Sequence, residues 1–280
     1  MTAGFHRPTR CRYDRRMLFS ETLKSLRPTA SGFKADIGED WSQGRATFGG
    51  LVAAVGNEAM RRNVPMDRPL RGLNVTFAAP VVPGVVDIET QVLRVGKVVT
   101  VAQAQLISAD TVAATMTGIY GSARVPSVVI RAEPAAAAAP VDNLPESVFT
   151  PDLGLPAFLQ HFALRWAEGT RPFTATPLNR SKAYIRHRDT VSLGESHVIA
   201  LIDVIPSPVL QMMSKPAPAS SLIWTLEFLR HDYQFHADAW WRIDTQVPSS
   251  VDGYASQGSV VLNPDGIPAA FSQQLVAVFG

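Results

Sequence analysis

The run Arg45-Ala46-Thr47-Phe48-Gly49-Gly50-Leu51-Val52-Ala53-Ala54-Val55 sets two adjacent glycines at the mouth of an apolar helix. Without a Cβ at either position, another backbone or a ligand can approach the first turn closely. The amides of that turn have no partners within the helix and sit at the positive end of its dipole, so they suit a carbonyl oxygen or a developing oxyanion. The plain structural reading is a tight turn that packs a helix against a sheet. The order of elements that follows decides how much more the glycines mean.

After the helix comes a strand-like run, Leu73–Phe77, closed by Ala78-Ala79-Pro80, then Val85–Leu93, Lys97–Ser108 and Thr111–Tyr120, with Gly96 at a turn. Phe33–Ile37 reads as the opening strand of this unit. A similar order recurs downstream. Phe158–Glu168 opens it, and an apolar segment, His197–Met213, is interrupted by Pro206 and Pro208. Leu222–Leu229, Trp240–Gln246, Tyr254–Leu262 and Pro268–Phe279 follow as strands, with Asn263-Pro264-Asp265-Gly266 as a turn. Gly96 lies 21 residues before Thr117, and Gly253 lies 21 before Gln274, which suggests matching places in the two units. The expected organisation is a basic arm over 1–17, one unit over 18–125, an Ala/Pro-rich linker over 126–155 and a second unit over 156–280.

Composition removes several functional classes. A chain of 280 residues with 46% hydrophobic content suffices for two modest domains or one duplicated one. A net charge of +2 gives no electrostatic case for nucleic acid as a partner. The single cysteine, Cys11, allows neither a disulfide within the chain nor a Cys-rich zinc motif. No 18-residue uncharged apolar run is present, so no membrane span is expected. The arginine-rich start is not followed by an apolar segment of the secretory kind. The default expectation is a soluble cytoplasmic protein, the arginines forming a solvated arm.

The usual signatures of nucleophilic, phosphate-binding, dinucleotide and zinc-protease sites are absent. The closest pair of histidines, His231 and His236, are five apart and fit neither a helical nor a strand geometry for shared ligation. They read as surface or loop residues, and neither a metal nor another cofactor is expected.

The phrase Trp41-(x)6-Phe48-Gly49-Gly50, the strand end Phe77-Ala78-Ala79-Pro80 and the duplicated order resemble the double-hotdog acyl-CoA thioesterases, the TesB-like or thioesterase II type. Lys182–Arg186, Ser221–Phe228 and the closing Asp265–Gln274 extend the resemblance over nearly the whole chain from about residue 18. No one motif is specific; the ordered set is. It implies an α+β fold of two tandem hotdogs, each an antiparallel sheet wrapped around a helix, fused as a pseudo-dimer. It also implies an acyl-CoA substrate hydrolysed by water without metal, and a homodimer or higher oligomer.

Such enzymes draw an Asp, a Thr or Ser and a Gln from the second hotdog. The Gln falls on Gln274, with Gln273 on the opposite face, so that a one-residue error would invert the assignment. The hydroxyl falls near Thr245. The Asp falls on Ile223, which can neither accept a proton nor bind water, and Thr225 is the next residue on that face. Single-hotdog thioesterases often carry a carboxylate eight residues after the first glycine of the pair; here that position is Asn57, with Glu58 beside it as the candidate acid. Both also read as the polar face of an amphipathic helix. Glu227 alternates with Thr225 and equally suits a salt bridge at the rim. Gly49 and Gly50 are the oxyanion candidates. The His-plus-acid patterns of hotdog dehydratases are missing. With Ile223 at the Asp position, the rival expectation is an acyl-thioester binding protein of the same fold that lacks the base.

Overall fold

The computed structural model describes residues 16–149, 154–189, 191–236 and 238–279. The basic arm up to residue 15, with Cys11, lies outside the described residues.

Fourteen strands and four α-helices run in the order α1 (Phe19–Lys24), β1 (Arg27–Pro28), β2 (Gly32–Ile37), β3 (Ser42–Gln43), β4 (Ala46–Thr47), α2 (Gly49–Arg61), β5 (Leu70–Phe77), β6 (Gly84–Val95), β7 (Val99–Ser108) and β8 (Thr111–Gly121) among the described residues. The second half supplies β9 (Phe162–Glu168), β10 (Arg180–His187), α3 (Glu195–Ile202), α4 (Pro208–Met212), β11 (Ala219–Phe228), β12 (Trp241–Val251), β13 (Tyr254–Leu262) and β14 (Pro268–Val278). Twelve strands form one antiparallel sheet ordered β1-β2-β6-β7-β8-β5-β11-β14-β13-β12-β10-β9. Read outward from its middle, each half repeats the same order: β5-β8-β7-β6-β2 on one side, β11-β14-β13-β12-β10 on the other. This is the tandem hotdog expected. The halves join through β5 and β11, where Asn74 lies opposite Thr225. Position in the sheet makes β10 the partner of β2. The opening strand expected at Phe158–Glu168 is instead an additional edge strand, β9, preceded by a 3-10 turn at Ala157–His161.

Strict alternation builds the sheet: β7 buries Thr100, Ala102, Ala104, Leu106 and Ser108 while the residues between them stay half-exposed. The inner face closes over α2, whose residues 50–57 are all buried, as a helix apolar on every side must be. Trp41, Phe48, Trp224, Trp241 and Tyr120 fill the core around it. Trp224 and Trp241 are plain core, whereas Trp240 stays on the surface under Arg165 and Arg186.

The Ala/Pro-rich stretch has no strand between residues 122 and 149, only a 3-10 turn at Val141–Asn143. It lies along the second half, where Arg242 donates to the carbonyl of Ala136, and Arg165 to that of Val141. No helix among the described residues is long and apolar enough to cross a membrane.

Candidate active site

The second apolar segment splits. α3 ends at Ile202, because Pro206 disfavours helical backbone at its predecessor and Asp203 already leaves the helical ladder as the C-cap, with φ −92° and ψ 0°. α2 and α3 pack side by side and antiparallel, so the end of α3 meets the start of α2. A Cβ added to Gly50 would lie 2.9 Å from the carbonyl oxygen of Ala200, and one added to Gly49 would lie 2.8 Å from Asp203 Oδ2. Both are closer than real Cβ contacts allow. Gly49 thus makes room for the carboxylate, and Gly50 for both the Phe48 ring, 2.5 Å from such a Cβ, and the backbone of α3.

That carboxylate is held from the other side by the sheet. Gln274 Nε2 donates to Asp203 Oδ1 at 2.6 Å, and the Gln274 carbonyl accepts from Gln257 Nε2. Gln274 belongs to the inner face of β14, directly opposite the buried Trp224, and is 6% exposed. Burial pushes the Asp203 carboxyl up to about 7, against the opposing pull of the Gln274 amide and the Gly50 N–H. A carboxyl that titrates near neutrality, with one oxygen fixed by an amide, has the properties of a general base.

A hydroxyl shares this face. β11 carries a bulge between Ser221 and Ile223, so Ser221 lies opposite Val276 while Ile223 lies opposite Leu275. Val276 is buried two residues from Gln274 on the same face, so the bulge puts Ser221 on the inner face near Gln274, while Ile223, next to the buried Trp224, faces outward and is 43% exposed.

The structure reorganises the residues expected from sequence. It brings Gly49, Gly50 and Gln274 together. Ile223 does not occupy the carboxylate position; Asp203, on another element, supplies the acid. Thr225 faces the outer side and its Oγ1 accepts from Asn74 Nδ2 at 2.9 Å, so it cannot hold a water in the site. Glu227 is exposed on that same outer face. Thr245 is buried on the inner face, but its hydroxyl pairs with Ser259 Oγ at 2.8 Å, and β13 separates its strand from that of Gln274. Asn57 does not converge with Gln274. Seven residues after Gly50, it lies roughly 10 Å along the helix, where it donates to Glu195 Oε1 at 3.1 Å and Ser196 Oγ at 3.2 Å and accepts from the Tyr120 hydroxyl at 2.8 Å. Glu58 faces Arg62 at 3.4 Å and accepts from Ser196 at that same far end. Thr117, matched to Gln274 by interval, alternates with the buried Met116 and Gly118 and pairs with the exposed Asn74, so it belongs to the outer face.

Asp203 was missed because it sits inside an apolar run, Val198–Ile205, where a lone acid looks incidental. Spacing could have found it. Asp203 is the eighth residue after Glu195, the first of α3, as Asn57 is the eighth after Gly49, the first of α2.

Two family models match the chain: the acyl-CoA thioesterase C-terminal domain over residues 134–278 and the acyl-CoA thioesterase N-terminal domain over residues 37–121. Among solved structures, a hot dog protein of unknown function from Alicyclobacillus acidocaldarius is similar with a TM-score of 0.83 at 19% identity, covering 94% of this chain and 98% of its own. The tesB protein of Mycobacterium avium subsp. paratuberculosis is similar at 0.76 and 17%, covering 94% and 98%. An acyl-CoA thioesterase II, TesB2, of Mycobacterium marinum is similar at 0.72 and 17%, covering 93% and 98%. At these identities the likeness is one of fold. No curated protein sequence matches.

Proposed function

The chain belongs to the acyl-CoA thioesterase family in its double-hotdog form, and on that premise we propose that it hydrolyses an acyl-CoA thioester with Asp203 as general base. The observation that carries this reading is the Asp203–Gln274 pair, 2.6 Å apart at the mouth of α2. Asp203 takes a proton from a water whose oxygen attacks the thioester carbonyl. Gln274 orients the carboxylate, and the Ser221 hydroxyl beside it is a second anchor for the water. The Gly50 N–H is given to Asp203, so the expected oxyanion role of the glycine pair falls to the positive end of the α2 dipole at Gly49, which favours the charge that develops on the carbonyl oxygen. The C–S bond then breaks, the thiolate of CoA takes the proton from Asp203, and free acid and thiol leave. No covalent enzyme intermediate is needed.

The rival reading, a binding protein without a base, rested on Ile223; a half-buried carboxyl held by Gln274, its pKa raised to about 7, takes away its motive. Release of free thiol across acyl-CoAs of graded length tests the proposal. Parent protein should turn over at least one length, while Asp203→Asn should lose about 10²–10³-fold or more, the usual cost of removing one well-aimed group. Equal rates for the two would show that Asp203 is not the base, and binding without turnover at every length would favour the binding protein.

A further inference from the structure

The two central helices correspond residue by residue: Gly49, Gly50 and Asn57 of α2 stand where Glu195, Ser196 and Asp203 stand in α3. A fold with this pseudo-twofold has a second place equivalent to the active site, at the mouth of α3. There the side chains are reversed. In the first place the helix starts on a glycine and the acid comes from the facing helix. In the second the acid sits at the start of the helix itself, and the facing helix offers the amide of Asn57.

The second place is full. Glu195 stands at the position equivalent to Gly49, and its side chain fills the mouth of α3, its Oε2 accepting from the backbone N–H of Leu70 at 2.8 Å and its Oε1 from Asn57 Nδ2 at 3.1 Å. The Tyr120 hydroxyl fixes the other end of the Asn57 amide. Both Tyr120 and Asn57 are fully buried. Burial pushes the Glu195 carboxyl up, while the Leu70 and Asn57 donors favour its charged form. A carboxylate with two such donors, at a helix mouth whose dipole favours negative charge, has the chemistry of a bound acyl oxygen.

We propose that Glu195 is a built-in occupant of the second hotdog site, so that each chain binds one acyl group and turns over at Asp203 alone. This rests on the proposed function for what the first site binds, but the closure itself can be tested without substrate. Titration calorimetry with a non-hydrolysable thioether analogue of acyl-CoA should give one equivalent per chain; two would overturn the proposal. Independently of any ligand, Asn57→Asp should place a second carboxylate against Glu195. Its melting temperature should fall by several degrees at pH 8, recover as pH is lowered, and return in Asn57→Asp/Glu195→Gln. An Asn57→Asp variant as stable as the parent at pH 8, or a double variant no better than the single, refutes the closure even if no analogue binds. Absence of analogue binding alongside the predicted stability pattern would instead count against the thioesterase reading and leave the closure supported.

Discussion

Replacing Asp203 by asparagine should make the protein more stable while nearly abolishing turnover. The Asp203 residue is half-buried, and loss of solvent around its carboxyl raises the pKa from 3.8 to about 7 on folding. Between those values the folded state holds a proton that the unfolded state has lost. Stability therefore falls as pH rises from about 4 to 7, and above 7 the penalty is complete. Some three pKa units at 1.36 kcal/mol each set a ceiling of about 4 kcal/mol. Asparagine avoids that penalty and still accepts from Gln274, but its amide N–H₂ faces the Gly50 N–H, a mismatch that costs about 1 kcal/mol. The net gain at pH 8 is therefore about 2–3 kcal/mol, or roughly 5–10 °C in melting temperature for a chain of this size. At pH 4 the penalty is nearly gone and the mismatch remains, so the variant should be no more stable than the parent and up to about 1 kcal/mol less stable. Thermal denaturation of parent and variant at pH 4, 6 and 8 measures this directly, because other titrating groups cancel in the difference. A difference that does not grow with pH, or a variant less stable at pH 8, would refute the burial argument. The same carboxyl should give the parent a hydrolysis rate that rises tenfold per pH unit below about 7 and then levels.

Gln274→Ala should lower thiol release by about 10²–10³-fold. Asn57→Ala, remote from Asp203, should leave the rate near the parent's and instead cost about 1–3 kcal/mol in urea denaturation, because Tyr120 and Glu195 lose a buried partner; the opposite pattern would reverse the site assignment. Gly49→Ala should reduce turnover by displacing the carboxylate, since its Cβ would press on Asp203 Oδ2 at 2.8 Å; an unaffected rate would show that the approach is not needed. Burial lowers the pKa of His187 to about 3 and of His197 to about 4, so both fold neutral, and stability should be lost as pH falls through 6.5 toward 4. Urea midpoints over that range in the Asp203→Asn background should show the loss, and a flat profile would contradict it. Light scattering should report a mass above the 30.3 kDa of one chain, as the family resemblance implies; a single monomer species at high concentration would count against this.

Strands and the first helix were legible because alternation and an apolar run survive any tertiary context. Parity was not. Ile223 lies outside by plain alternation with Trp224, but the bulge in β11 adds one residue between Trp224 and Ser221, and this alone puts Ser221 on the inner face. Sequence offers no mark for it. Gln274 was found because it lies before the end of a regular strand, β14, with no shift between it and Trp224. Asp203 reaches Gly49 only through the antiparallel packing of α2 on α3, a contact between residues more than 150 apart in the chain. Asn57 was chosen by a spacing that holds for both helices, but the acid had been kept in the other one.

The junction of β5 with β11 joins two halves that separate chains could equally have formed. In a symmetric homodimer one codon serves both sites, so a glutamate at the head of the helix would close both and extinguish activity. Fusion removes that coupling. Once each half has its own copy, drift at one helix mouth is invisible to the other, and Gly49 and Glu195 can persist in the same molecule. The covalent link thus lets the two helix mouths differ, while the one site still draws its glycines from the first half and its Asp203 and Gln274 from the second.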